Sequence, residues 1–356
     1  MKQASYKEVL EAYCNPFHEF TVEPVSNGLI NHSYIVTSKT SGDTFLLQQI
    51  NHTVFQDPAL VQENYELIWH FLQNNNTGFF IPEPKQFIGD NTLYADSNDN
   101  YWRVFEFVYG TKTLSSPESP EQAKEVAALF GHFTSCFASF DIEDLNVTIP
   151  GFHNLSARYQ QFERSLKTTQ YDRLQQAAAL IDELRRREHY ANLYDVFTES
   201  TVFPQRVMHH DAKIGNVLFD IDSGKTVCPV DFDTTMPGYF FSDLGDMIRS
   251  MAASLNEDST NSENISIRKE YYEAILSGYL EWMADELTDA EKKYIHHAGL
   301  LVIYMQSLRF TADYLSGDVY YRTTYPQQNY DRARNQLALL ISLEDFLQQE
   351  YNYNLS

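Results

Sequence analysis

Residues 20–50, FTVEPVSNGLINHSYIVTSKTSGDTFLLQQI, alternate apolar and polar side chains, with breaks at Ser26-Asn27-Gly28 and Ser41-Gly42-Asp43. Alternation of period two, punctuated by turn formers, predicts a meander of antiparallel strands. Residues 4–14 carry the spacing of a short opening helix. Residues 57–72 read as a second helix, with Asp57 at the N-cap and Pro58 at the first position. Glu63 and Glu66 on it are expected to be solvated. A further apolar strand, YWRVFEFV, spans residues 101–108 and leaves at Tyr109-Gly110. Then the period turns helical. Ser119 caps a long helix, Pro120 stands at N1, Gln122 completes a capping box, and Val126, Leu129, Phe130, Phe133 and Phe137 form the buried stripe. Helices follow over residues 166–196. Two short apolar runs, 217–219 and 226–230, flank Asp222-Ser223-Gly224 and read as a hairpin. Pro237-Gly238 reads as a turn, residues 265–283 as a helix, and Thr288 with Glu291 as the capping box of a run to Leu315. Strands first and helices afterwards predict an α+β chain divided near residue 108.

Composition narrows the partners. The chain has 356 residues, enough for two lobes with a sizeable core, and 24 Tyr with 24 Phe predict an aromatic-rich interior or pocket. A net charge of −23 argues against nucleic acid and anionic membrane, which both demand basic patches. The same acidity repels a polyphosphate, so metal ions and placed cations such as Lys213 must set the local field at any such site. Cys14, Cys136 and Cys228 show neither metal-ligand spacing nor an even framework, the pattern of free thiols in a reducing compartment. No signal-peptide core opens the chain, and no run approaches the roughly 20 apolar residues of a membrane span. A soluble, cytoplasmic protein is expected.

The chemistry gathers around the hairpin, in VMHHDAKIGNVLFDIDSGKTVCPVDFDT (residues 207–234). Asp211 and Asn216 precede its first strand; Asp231 and Asp233 follow its second, so the four side chains leave at the end away from the turn. Hard oxygen ligands of this kind suit Mg²⁺, which keeps waters and shares itself with substrate phosphates. The order His209, Asp211, Lys213, Asn216, Asp231 fits phosphoryl transfer: one Asp accepts the hydroxyl proton, an Asn and a second Asp hold metal, and a Lys neutralises phosphate.

HHDAKIGN followed by VDFD resembles the catalytic segment of the aminoglycoside phosphotransferase and choline kinase superfamily, H-x-D-x-x-x-x-N and then a strand ending in Asp. The resemblance implies a two-lobed, protein-kinase-like α+β fold, with an N-terminal lobe over residues 1–108 and a helical lobe over 109–356. It implies ATP as co-substrate with Mg²⁺, Asp211 and Lys213 as catalytic residues, and Asn216 and Asp231 as metal ligands. The turn with Gly28 would lie over the phosphates. The strand holding Glu106 and Val108 would become the hinge whose backbone binds adenine.

Most kinases carry a Lys on the third strand, where this chain has Gln48. LLQQIN followed by TVFQDPALVQENYELI resembles one branch, the N-acetylhexosamine 1-kinases, with Gln in that place in a Q-x-[IM]-N-x-x-x-F-x-D setting. A neutral amide can donate to phosphate but brings no charge. IPGFHNLSARYQQF resembles their I-x-x-F-H-D segment, with His153 in place and Asn154 for the Asp. LRFTADYLSGDVYYRTTYPQQNYDRARNQ resembles M-R-F-L-x-D-Y-L-x-G-D-x-Y-F, then Y-P-x-x-N and R-x-R-x-Q; there the Arg and second Tyr contact sugar, which maps onto Arg309 and Tyr320. An Arg fork and a phenol can grip ring hydroxyls or an N-acetyl group, although Arg309 could equally pair with Asp313 one turn on. Where the branch has G-H-I-N, this chain has Leu29 for the sugar-contacting His. Asp243 and Asp246, in a shared D-[LF]-G-D text, read as helix-start residues. The resemblance implies ATP-dependent phosphorylation of a sugar at its anomeric hydroxyl. The alternatives are an aminoglycoside- or choline-type kinase and a catalytically silent nucleotide-binding module.

Overall fold

The computed structural model describes residues 5–14, 19–25 and 30–354; Gly28 and Leu29, with the first predicted turn, lie outside the described residues. Chain contacts divide the protein into two compact units. The first comprises Met1–Lys112, Phe140–Pro150 and Leu218–Met236; the second comprises Thr113–Ser139, Gly151–Val217 and Pro237–Ser356.

In the first unit, helix α1 (Ser5–Tyr13) precedes strands β1 (Phe20–Pro24), β2 (His32–Ser38) and β3 (Thr44–Ile50). Then come α2 (Pro58–Asn74), β4 (Pro84–Lys85), β5 (Leu93–Ala95), β6 (Tyr101–Glu106) and β7 (Thr111–Lys112). The sheet runs β1-β2-β3-β6-β4, with β5 also on β6, and every pairing is antiparallel. Strands β4 and β5 escape a periodicity reading because they hold only 2 and 3 residues. Period-two alternation sends Tyr34, Val36, Phe45, Leu47, Trp102 and Val104 to one face, where they bury Val9 and Leu10 of α1. The opposite face therefore receives Ser33, Gln48, Arg103 and Phe105. Phe105 packs against Tyr65 of α2, 4.7 Å between ring centroids. Asp57 caps α2 through the N–H of Ala59 at 3.1 Å, as its sequence indicates. Glu63 is exposed, whereas Glu66 is half-buried and accepts from Thr92 and Gln62, a correction to the solvated reading. The hairpin strands β8 (Val217–Asp220) and β9 (Thr226–Pro229) form a small sheet with β7, which pairs Thr111 with Asp220 and Lys112 with Phe219.

The second unit is helical. It holds α3 (Pro120–Cys136), α4 (Leu155–Thr168), α5 (Tyr171–Gln176), α6 (Ala178–Arg186) and α7 (His189–Thr198). After the HHDAKIGN segment and the hairpin come α8 (Phe241–Met247), α9 (Lys269–Met283), α10 (Asp289–Lys293), α11 (His297–Ser316) and α12 (Gln328–Tyr351). Helices α3 and α9 approach closely at Gly131 and Gly278; a Cβ on either would collide with backbone of the other helix. Ser119 accepts from Gln122 N–H at 3.3 Å, but the Gln122 side chain turns back to the N–H of Glu118, not to the cap itself. The Thr288–Glu291 capping box is present. It opens the short α10, and the run to Leu315 restarts at His297 because Tyr294–His296 break the helix. Residues Met236–Gly238 are extended as a short strand where a turn was predicted.

Candidate active site

The strand Arg206–Met208 delivers the HHDAKIGN loop. His209 is fully buried against the ring of Phe130, 5.2 Å between centroids, and His210 takes a left-handed φ of 65°. Asp211 then meets two partners supplied by its own loop. Lys213 Nζ donates to both carboxylate oxygens, at 3.1 and 2.8 Å. The 3₁₀ turn Ile214–Asn216 brings back Asn216, whose Nδ2 donates to Asp211 Oδ2 at 2.7 Å and to its carbonyl at 3.0 Å. Burial alone would raise the Asp211 pKa, but the charge and hydrogen bond of Lys213, with His209 and Asn216, hold it below the ordinary value. Asp211 is thus a fixed anion. Asn216 Nδ2 is spent on Asp211, and Oδ1 is the other polar atom of that side chain.

The loop is anchored from below by a residue whose role the sequence understated. Asp243, at the start of α8 and 0 % exposed, accepts the N–H of His209 at 2.9 Å and of His210 at 2.7 Å. It stands in the first turn of its own helix, as the sequence indicates, and also holds the His209–His210 turn. Burial pushes its carboxyl up to about 7, against the pull of those two N–H groups and with a further push from Asp246 and Asp211. Asp246 accepts from Arg249 Nε at 2.8 Å.

A second carboxylate is held in the first unit. On the sheet face away from α1, Gln48 of β3 stands directly opposite Arg103 of β6. Gln48 Nε2 donates to Ser33 Oγ at 2.9 Å, and its Oε1 accepts Arg103 Nε at 2.9 Å and Arg103 Nη2. Nη2 also pairs with Asp233 Oδ1, and Asn31 Nδ2 donates to Asp233 Oδ2 at 2.6 Å. The Arg103 and Asp233 side chains are 2 % and 3 % exposed. The amide of Gln48 is therefore engaged within the sheet. Asp231, two residues before Asp233, is exposed and adopts a left-handed φ of 66° as it opens the turn Phe232–Thr234. Glu106 exchanges contacts with Glu83, through its N–H at 2.9 Å and its carboxylate at 3.3 Å. The Val108 carbonyl accepts Thr111 Oγ1 at 2.7 Å.

The expected substrate residues meet in the second unit. The Arg309 guanidinium lies 5.0 Å from the Phe152 ring centre, 5.9 Å from that of Tyr320 and 5.6 Å from that of Tyr321. His153 stacks on Phe152 and meets Ser242 Oγ at 2.5 Å; His210 Nδ1 reaches the same oxygen at 2.7 Å. Asp313 accepts the N–H groups of Val319, Tyr320 and Tyr321 at 2.8–3.0 Å and Asn329 Nδ2 at 2.9 Å. Those bonds fix the Tyr320 loop and occupy the carboxylate, so Arg309 stays over the aromatic rings. Burial pushes the His153 pKa well below its ordinary value, with His210, Arg309, Arg158 and Arg249 adding to it. Burial and Arg309 likewise push Arg158 down to about 10. A cleft of about 770 Å³ in the first unit is lined by Glu63, Glu66, Glu83 and their neighbours, and shares no residue with these groups.

Residues 21–286 match the family model described as phosphotransferase enzyme family. An aminoglycoside phosphotransferase from Alicyclobacillus acidocaldarius is similar in structure, with a TM-score of 0.63 and 14 % identity over 98 % of this chain and 96 % of that one. A spectinomycin phosphotransferase in complex with ADP and spectinomycin gives 0.54 and 14 %, over 92 % and 93 % of the two chains. Choline kinase from Cryptosporidium parvum gives 0.54 and 14 %, over 96 % and 94 %.

Proposed function

The chain belongs to the phosphotransferase enzyme family, as a small-molecule phosphotransferase, and we propose that it transfers the γ-phosphoryl group of ATP to the anomeric hydroxyl of a hexose or N-acetylhexosamine. The observation that carries the transfer is the Asp211 carboxylate, kept ionised and oriented by Lys213 and Asn216. Asp211 accepts the proton of the acceptor hydroxyl as its oxygen bonds to phosphorus. The bond from phosphorus to the bridging oxygen breaks, and ADP leaves with that electron pair. Lys213, whose side chain is 33 % exposed, can follow the negative charge that develops on the transferred group. Such catalysis is chiefly positioning and charge stabilisation.

Mg²⁺ would stabilise phosphate charge and orient the triphosphate. Asn216 Oδ1 and the exposed carboxylate of Asp231 are the donors proposed for it, both of the hard-oxygen type that it prefers. Among the described residues no three or more His, Cys, Asp or Glu side chains gather as a metal cluster. A magnesium ion held by few protein donors takes phosphate and water oxygens as its remaining ligands.

The acceptor reading draws on charge. Arg309 and Arg158 set two guanidinium groups against Phe152, whereas Arg249 is paired with Asp246 and Glu257. An aminoglycoside or amino alcohol carries a positive charge at neutral pH and would be repelled there. A neutral sugar would meet an Arg fork, a phenol and an aromatic face instead. The match of the Gln48 strand, the His153 segment and the Arg309–Tyr320 block to the hexosamine 1-kinase pattern supports the same choice. Leu29, in place of that pattern's His, favours a sugar other than N-acetylglucosamine or N-acetylgalactosamine, because Leu cannot hydrogen-bond. The test is ADP release with Mg²⁺ across a panel of monosaccharides and amino alcohols. Turnover confined to reducing sugars is expected; turnover confined to amino alcohols would overturn the acceptor reading, and none with any acceptor would overturn the activity.

A further inference from the structure

Gln48 and Arg103 occupy directly opposed positions of an antiparallel pair, so their side chains share one face. The two identities depend on each other. Gln48 offers Arg103 a carbonyl oxygen and gives its own N–H to Ser33. A lysine at 48 would instead set a second cation against the guanidinium. The kinase cation on the third strand is therefore not simply missing. Its place is filled from the next strand.

A buried arginine is rare unless paired, and Arg103 is paired with Asp233. The pairing is incomplete. Arg103 Nη1 is buried and has no hydrogen-bond partner among the described residues. A donor left in that condition marks a place for a group from outside the protein, a water or a ligand oxygen. We infer that Arg103 is the cation of the nucleotide site, with Asp233 as its buried counter-ion and Nη1 kept for an oxygen of the nucleotide phosphates. The inference rests on the nucleotide-dependent activity proposed above. Asp233 lies two residues beyond Asp231, so the same ion pair also ties the Asp231 turn to the sheet.

The experiment is calorimetric titration of ADP, AMP and adenosine, each with Mg²⁺, into the wild-type chain, Arg103→Met and the charge-relocated Gln48→Lys/Arg103→Met variant, with thermal melts alongside. Arg103→Met should weaken ADP at least about tenfold and leave adenosine unchanged; the relocated lysine should restore much of the ADP affinity. Unchanged ADP binding by folded Arg103→Met, or equal losses for ADP and adenosine, would overturn the inference, because both describe a purely structural ion pair. Should Arg103→Met fail to fold, the relocated variant and Arg103→Lys decide, since each keeps a cation. Preference for ADP over adenosine in them supports the inference, and its absence overturns it. A wild-type chain that binds no nucleotide overturns the proposed activity as well; wild-type turnover beside an indifferent Arg103→Met overturns this inference alone.

Discussion

Two carboxylates in this protein are held by the same two kinds of group, a basic side chain and an asparagine amide, in opposite ways. Asp211 is gripped by Lys213 and Asn216, two and five residues along its own loop. Asp233 is gripped by Arg103 and Asn31, 130 and 202 residues away. The Asp211 pair is 27 % and 33 % exposed, and the Asp233 pair almost wholly buried. A partly accessible anion beside a partly exposed lysine can meet a group that arrives from solvent. A buried pair cannot move, and it holds both the Asp231 turn and the Arg103 guanidinium in one place. Similar chemistry therefore yields an accessible anion in one setting and a fixed ion pair in the other, and burial decides which.

The sharpest way to break that comparison is to neutralise each acid. Asp211→Asn should lower kcat by about 10²–10⁴, the usual cost of a general base, while ADP still binds. Its stability should change by about 1 kcal/mol, more than a fully exposed pair contributes on average and less than a buried one. Near-normal kcat would remove Asp211 from the chemistry. Asp233→Asn leaves a buried guanidinium without its counter-ion and should cost about 3–5 kcal/mol of stability, read by urea denaturation. A loss as small as that of Asp211→Asn would abolish the distinction. Asp243→Ala strips the acceptor from two buried N–H groups of the catalytic turn, and each is worth about 1–3 kcal/mol. Stability and kcat should fall together in that variant; a drop in either alone would separate anchor from catalysis.

The smallest effect concerns His153. Burial, His210 and nearby guanidinium groups keep it neutral in the folded chain, whereas the unfolded chain takes up a proton below about pH 6.5. Uptake by the unfolded state alone means that stability falls as pH drops through 6.5, by up to about 1.4 kcal/mol per pH unit. His153→Asn should flatten that slope in denaturation curves between about pH 5 and pH 7. Parallel slopes for the two proteins would contradict the assignment.

The same contrast explains what could be read from the sequence. Asp211, Lys213 and Asn216 lie within one loop, so residue order nearly determines their geometry. The strand alternation of residues 32–50 and the caps of α2 and α3 are local in the same sense. Arg103 was visible as one of two charges, with Glu106, in the apolar run YWRVFEFV, and a charge inside a buried strand needs a partner. No local pattern names that partner, because β3 and the Asp231 turn reach Arg103 only through the sheet. Asp243 lay in a recognised text, yet its bonds to His209 and His210 depend on packing between α8 and a loop 33 residues earlier. The two-residue strand β4 is too short to carry any period.

The position of the transferred phosphate on the acceptor distinguishes a sugar 1-kinase from its alternatives. The direct measurement is a phosphorus–proton correlation spectrum of the product formed from ATP, Mg²⁺ and the best sugar of the panel. Coupling between phosphorus and the anomeric proton is the predicted result. Coupling to the protons on C6, or no phosphorylated product from any reducing sugar, would contradict it.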